Sequence, residues 1–431
     1  MNTAAHTWSN GWRYGLLGLP LAFVSLPLYV QLPRYYAEHH AIALSTLGGV
    51  LLVTRLLDAV IDPRIGHWVD ALFQRHATSP WRAAAWASMG LLIGFCALWH
   101  APSSPASPTR TLAWLSAALI LTYLSYSVAS MVHQTWGARW GGHADERARL
   151  VAWREGLALI GVVMASVLPS LAGMDVTAVV LGIALLVGCF GLRATGAAQP
   201  APPLHTTTHR PSQVDSPRPA PWSHPPFSAL MIVFLLNGSA SAIPATLLPF
   251  FVRDTLQAGT WEPMFLLAYF AAAAVGLPLW TVIVRHMGLA QAWLAGMVLS
   301  VLAFCSVPLL GAGDVAPFAA ICVASGLALG ADLAIPSALL TGLIHQAGWG
   351  RQSEGQFFGW WTAATKLNLA LASGMALPLL SWFGYETGVS NARNQSSLAL
   401  TYGVLPCLLK GLAMAALIWA SRRHAVLKGE S

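Results

Sequence analysis

Long apolar runs broken by short polar stretches recur along the whole chain. They fall near residues 12–36, 43–69, 82–101, 111–137, 150–172, 176–193, 228–252, 261–284, 289–310, 315–345, 355–383 and 397–421. Such runs match the roughly 20 residues an α-helix needs to cross the hydrocarbon core of a bilayer. Lipid offers no water to an open backbone, and no ten-residue alternation of a membrane barrel strand is present, so the runs predict twelve spanning helices. The break between the sixth and seventh runs is different in kind. Residues 195–226 are rich in Pro, Ser, Thr and His, a composition that builds no core and predicts a linker. The expected layout is therefore a six-helix half at 1–194, the linker, and a second six-helix half at 227–431. His205 and His209 within the linker could be drawn as a metal pair, but a solvated loop is the plainer reading.

Composition sharpens this picture. Of 431 residues 56% are hydrophobic and only 9% charged, too little charge to keep a surface in water. A soluble globular protein, a disordered chain and a disulfide-stapled module are all excluded. The net charge of +7 comes from 20 Arg and three Lys scattered through short loops, which reports orientation in a bilayer and not a nucleic-acid partner. With the N-terminus inside, fifteen basic residues fall on the inner side and four (Arg34, Arg110, Arg253, Arg393) on the outer. That bias predicts cytoplasmic termini and a cytoplasmic linker. The first run is too long for a signal peptide and is expected to be retained as a span. The five cysteines all lie in apolar runs and read as packing residues.

Charges inside the runs then ask for a reason, because each costs about 2.5–3.5 kcal/mol at mid-bilayer. The second run reads TRLLDAVIDPRIGHWVD. Asp58 and Asp62 are four apart and share a helical face, with Arg55 on the same side. Two stacked carboxylates must face a cavity, pair with bases or bind a cation; carboxylate oxygens suit Na⁺, and one of them can carry H⁺. The plainer alternative is that Arg55 merely neutralises Asp58. Pro63 removes a helical hydrogen bond beside them. Gly66 and Asp70 follow as a GxxxD unit at the helix end, read as a helix contact with basic partners such as Arg75.

The eleventh run carries Lys366 near mid-depth, with Thr362 four residues before it on the same face. A buried ammonium needs a carboxylate or a substrate acceptor; a structural ion pair between halves is the competing reading. Arg154 enters the fifth run beside Glu155 and could bind substrate, snorkel to headgroups or pair with its neighbour. Lys410 could snorkel or pack, and Asp332 could pair across the bundle; neither has a sharp role. Ser125, Ser127, Ser130, His133 and Gln134 make the fourth run polar on one side, as a cavity lining or as interhelical glue, and Asn237 and Ser239 in the seventh carry the same ambiguity. No GxSxG, P-loop or HExxH motif appears.

These residues resemble a known family. RLLDAVIDPRIGHWVD is similar to the second-span signature of the glycoside–pentoside–hexuronide:cation symporters, the melibiose-permease branch of the major facilitator superfamily. YGLLGLPLAF, ADERARLVAWREG and GRQSEGQFFGWWTAATKLNLALASG resemble its first span, its loop into span five and its eleventh-span motif. The resemblance implies an all-α major facilitator fold of twelve spans in two halves. It implies that Asp58, Asp62 and Thr362 hold the cation, that Lys366 couples cation and substrate, and that Arg154 belongs to the sugar site. It also exposes departures. Ala22, Ser127 and Met131 stand where the family has an acid in span one, an acid in span four and a tryptophan, and Gly342 and His345 replace an acidic pair in span ten. Ser127 is the substrate-site position that keeps an oxygen.

The implied protein is a cation-coupled secondary transporter of the bacterial inner membrane. It would use Na⁺ or H⁺ as coupling ion, need no cofactor and no nucleic acid, meet a small-molecule substrate and the lipid bilayer, and work as a monomer. A sugar or glycoside is the family's substrate class. The missing acids admit a lysophospholipid or other amphiphile on the same fold, as in the vertebrate lysophospholipid symporters. A membrane enzyme or a non-transporting sensor is the reading from another class.

Overall fold

The computed structural model describes all residues except 1–9, 33–34, 37–38, 40–41, 43, 77, 102–107, 141–142, 197–219, 351, 384–396, 425–426 and 428–431. Most of the expected linker, including His205 and His209, therefore lies outside the described residues.

Each of the twelve expected spans falls on a helix. The first half contains α1 (Gly18–Leu26, entered by a helical turn at 10–15 and continued by a π-helical turn at Pro27–Gln31), α2 (Leu44–Arg75), α3 (Ser79–Trp99) and α4 (Pro108–Ala138). It closes with α5 (Ala144–Pro169) and α6 (Leu171–Ala194). The second half contains α7 (Pro225–Phe250), α8 (Glu262–Met287), α9 (Leu289–Phe304), α10 (Val315–Gln346), α11 (Glu354–Trp382) and α12 (Leu405–Arg423). Among the described residues nine helices are both long and apolar enough to cross a membrane, and α2 and α11 are not among the nine.

The helix ends follow local chemistry. In the first turn of α6 the chain kinks at Gly173, whose φ of 80° lies in the left-handed region that side chains avoid. Pro80, Pro226 and Pro406 sit in first turns, where a missing N–H costs nothing. Pro63 lies well inside α2, yet the helix runs through it; the carbonyl of Ala59 loses its donor there.

Packing divides the chain into two compact units. The first comprises Met1–Gly141, Trp153–Ala220 and Ala347–Ala363; the second comprises Gly142–Ala152, Pro221–Gln346 and Ala364–Ser431. Within the first unit α3 packs on α4, and α4 on α2 and α1. Within the second, α10 packs on α8 and α9, and α12 on α7 and α9. Π-helical turns at Phe251–Thr255 and Ala399–Val404 meet there, with the Phe251 and Tyr402 rings stacked 4.4 Å apart over Phe318 and Phe265. The outer surface is apolar. Val53, Val60, Leu171, Val275, Leu302 and Leu408 are all exposed, as acyl chains require of a protein they solvate.

Candidate functional site

On α2 the usual order of polar and apolar faces is inverted. Thr54, Asp58, Asp62, Ile65 and Val69 form one buried stripe, while Leu52, Val53, Leu56, Leu57 and Val60 point outward. The spacing of the stripe is that of one helical face. Asp58 is 4% exposed and Asp62 fully buried, so both acids are turned away from lipid. Ser127, itself fully buried on α4, donates to Asp58 Oδ1 at 2.9 Å. The position grouped with the substrate by resemblance thus touches the first of the two carboxylates.

The start of α11 packs against α2 within the same unit. A Cβ on Gly66 would collide with the Gly355 carbonyl, and one on Gly359 would sit 2.8 Å from the Asp62 carbonyl and 3.1 Å from the Pro63 Cα. Three glycines let the two backbones touch, the small-residue crossing favoured between membrane helices. Asp70 then caps α11: Gly355 N–H and Gln356 N–H donate to its carboxylate at 2.7 and 2.8 Å. Arg139 stands 3.9 Å from Asp70 and 3.4 Å from Glu354, over the Phe73 ring. The Gln356 amide donates to His67 Nε2 at 2.7 Å. The expected helix contact with a basic partner is present, but the partner is Arg139 and not the exposed Arg75, and the acid also serves a helix N-terminus 285 residues along the chain. The crossing carries Thr362 in, three residues beyond the Gly359 contact. Its Oγ1 is buried and makes no hydrogen bond among the described residues.

Arg154 is buried in α5, and two of its nitrogens donate to Oε1 of adjacent Glu155 at 2.9 and 2.6 Å. Pairing with the neighbour, one of its three expected roles, is present. On α4, His133 Nε2 donates to the Tyr14 carbonyl at 2.8 Å, and Gln134 donates to Ser130 at 3.0 Å. Met131 is fully buried and Ala22 half-buried.

Lys366 belongs to the second unit, half-buried on α11. Two residues on, Asn368 accepts from Ser239 at 3.2 Å and donates to the Phe234 carbonyl at 3.4 Å. This unit also holds a polar centre that spacing alone did not reveal. Lys410 of α12 donates to Asp332 Oδ2 and Asn237 Oδ1, both at 2.8 Å. Asn237 and Trp293 each donate to Asp332 Oδ1 at 2.9 Å, and Ser241 to Oδ2 at 3.3 Å. Lys410 therefore neither snorkels nor packs as an apolar residue; it is half of an ion pair joining α7, α9, α10 and α12. Opposite charges in two runs of one half were the available signal. Near the end of α10, Gly342 leaves room for the Arg147 guanidinium, whose Nη2 would lie 2.9 Å from a Cβ there.

The chain matches the model of the MFS/sugar transport protein family over residues 13–421. It belongs to that family of major facilitator transporters. A search of curated proteins finds no match. Among solved structures, it is similar to a bacterial homologue of the iron transporter ferroportin in an outward-facing state, with 14% identity, a TM-score of 0.70, and 97% of this chain and 100% of that chain covered. The E. coli fucose:proton symporter is similar at 11% identity and a TM-score of 0.66, with 97% and 98% covered. A proton:xylose symporter bound to 6-bromo-6-deoxy-D-glucose is similar at 11% identity and a TM-score of 0.64, with 97% and 94% covered. At these identities the likeness shows the fold.

This major facilitator chain is a multi-pass membrane transporter and not an enzyme. Its first unit offers hard oxygen donors: two inward carboxylates on α2, one held by the Ser127 hydroxyl, and the unbonded Thr362 oxygen on the helix that crosses α2. Oxygen sets of this kind suit a small cation or a proton. Asp58, Asp62, Ser127, Arg154 and Thr362 all lie in this unit, and Lys366 in the other.

Proposed function

We propose that the chain is a cation-coupled secondary transporter, with Na⁺ or H⁺ seated at Asp58 and Asp62 and with Thr362 as a further oxygen ligand. The observation that carries this reading is the inversion of α2. Two acids occupy its buried stripe, and the buried Thr362 oxygen of the crossing helix makes no hydrogen bond among the described residues. A purely structural pair of acids gains nothing from such a neighbour. Lys366 and Arg154 serve the substrate side. The two six-helix halves alternate in access around it, and coupling follows if cation and substrate favour the same state. The surplus of basic residues on one side supports cytoplasmic termini in a bacterial inner membrane.

A sugar or glycoside is the proposed substrate, in keeping with the family description. An amphiphile such as a lysophospholipid is a second reading, favoured by the buried Met131 and by Ala22, which offer no acceptor to sugar hydroxyls. The test is purified protein in liposomes, with ²²Na⁺ and internal pH followed while sugars and lysophospholipids are supplied. Substrate-dependent cation movement that disappears in Asp58→Asn and Asp62→Asn is the expected result. Concentrative uptake by either variant equal to that of the parent protein refutes the cation seat.

A further inference from the structure

The first unit has an outward groove of about 520 Å³ between α2, α3 and α4, apart from the buried acids. Trp68 and Leu72 of α2, Arg82 and Trp86 of α3, and Leu124 and Val128 of α4 form its walls. Its polarity is graded along the helices. Leu72 and Arg82 stand within the last and first turns of α2 and α3, on the side where those two helices are joined. Trp68 and Trp86 are one turn deeper, and both are exposed. On α4, whose end at Ala138 lies on the same side, Val128 is ten residues in and Leu124 fourteen, about 15 and 21 Å of helix. The groove thus runs from the headgroup layer towards mid-bilayer, with Arg82 at its mouth, Trp86 and Val128 one turn in, and Leu124 below.

Two positive features meet at the mouth. Arg82 is exposed and forms no ion pair among the described residues, although most other arginines near helix ends in this unit are paired or stacked. The first turn of α3 carries the positive end of a 21-residue helix, and its Thr78 cap residue makes no side-chain cap bond. An anion with an apolar tail satisfies the guanidinium, the helix end and the groove together. A zwitterionic lipid brings the same phosphate together with its own cation, so it is held less strongly at these positive features, and a neutral lipid satisfies only the groove.

We propose that this groove is a site for an anionic phospholipid of the surrounding membrane, its phosphate at Arg82 and the start of α3, its acyl chain between Trp86 and Leu124. Basic pockets between spanning helices recognise anionic headgroups in this way. The site is lateral and separate from the proposed cation seat, so its failure leaves that reading standing.

The test is lipid retention by the full-length protein. Purified protein is exchanged into micelles holding equal phosphatidylglycerol and phosphatidylcholine, and the lipids that remain bound are counted by native mass spectrometry. The parent protein is expected to keep phosphatidylglycerol roughly fivefold over phosphatidylcholine, the preference one cation near the surface supplies. Arg82→Gln should lose that preference, Trp86→Ala should lower retention of both lipids, and Arg422→Gln, an exposed cation at the end of α12, should keep the parent pattern. Equal retention of the two lipids by the parent protein, or an Arg82→Gln variant that matches it, overturns the proposal. So does a groove that retains only an added lysophospholipid and releases it on turnover, since that would make it part of the substrate's route.

Discussion

Replacing Thr362 with valine separates the two readings of α2 by how far the coupling ion shifts stability. Thr and Val have nearly the same volume, so the change opens no cavity. It deletes one buried oxygen that makes no hydrogen bond among the described residues. In the cation-free protein that oxygen is a burden of about 1–3 kcal/mol, the cost of a buried polar atom left without a partner. Thr362→Val is therefore expected to unfold later than the parent protein when no coupling ion is present. With the ion, the gap narrows. A cation at one hundred times its dissociation constant stabilises the folded parent by about 2.7 kcal/mol. Losing one oxygen ligand, taken as about tenfold in affinity, cuts this to about 1.4 kcal/mol at the same concentration. The measurement is unfolding of purified protein in detergent, in choline and then in rising Na⁺ at fixed pH, with a separate pH series for H⁺. An ion-dependent shift in Thr362→Val equal to that of the parent removes Thr362 from the cation site. If the variant also gains no stability without ion, the oxygen has a role in the fold that the crossing of α2 and α11 does not account for.

Other outcomes follow from the same contacts. Asp332→Asn or Lys410→Met alone should destabilise by about 3–5 kcal/mol, because each strands its buried partner, whereas the double variant should recover part of the loss; a double-mutant cycle in SDS unfolding should give a coupling of about 1–3 kcal/mol, and additive losses would mean the pair does not act as one. Gly66→Ala forces a Cβ against the Gly355 backbone and should cost about 1–3 kcal/mol, while Gly49→Ala on the same helix, where a Cβ meets nothing within 4 Å, should be neutral or slightly stabilising; equal thermal midpoints for the two would contradict the close crossing.

The spans were legible because lipid demands long apolar runs, and even the split between α5 and α6 was visible as a short polar gap, where the chain kinks at Gly173. The inward turn of Asp58 and Asp62 was legible for a similar reason: four-residue spacing fixes a face, and the cost of charge in lipid decides which way it points. The Arg154–Glu155 pair was offered by adjacency. Partners far apart in sequence were not. Spacing suggested Arg75 for Asp70, because local neighbours are all that spacing can propose. The real partners are backbone donors of α11 and Arg139, brought together by a glycine crossing. Lys410 and Asp332 lay 78 residues apart in two helices, each without a neighbour of opposite sign on its own helix. Π-helical turns such as Phe251–Thr255 have no hydropathy signature at all, since they change the register of a helix and not its composition.

The buried charges sort into two chemical kinds, and the sorting decides what each can do. Asp332 is filled: four donors from α7, α9 and α12 occupy its two oxygens, so it has neither the room nor the need for an ion. Its pairing with Lys410 neutralises the second unit internally, which is the cheapest way to keep both charges in a bilayer. The α2 acids sit in a different setting. Asp58 takes a neutral hydroxyl from Ser127, which orients a carboxylate without cancelling its charge. Asp62 sits where α11 presses against α2, its carbonyl facing Gly359, three residues before an oxygen that bonds to nothing described. A hydroxyl orients a carboxylate, whereas an ammonium cancels its charge, as Lys410 does for Asp332. Loss of transport with intact folding is therefore expected to track α2, and loss of folding to track Asp332 and Lys410. A variant of Lys410 that folds normally and fails only in coupling would undo the distinction.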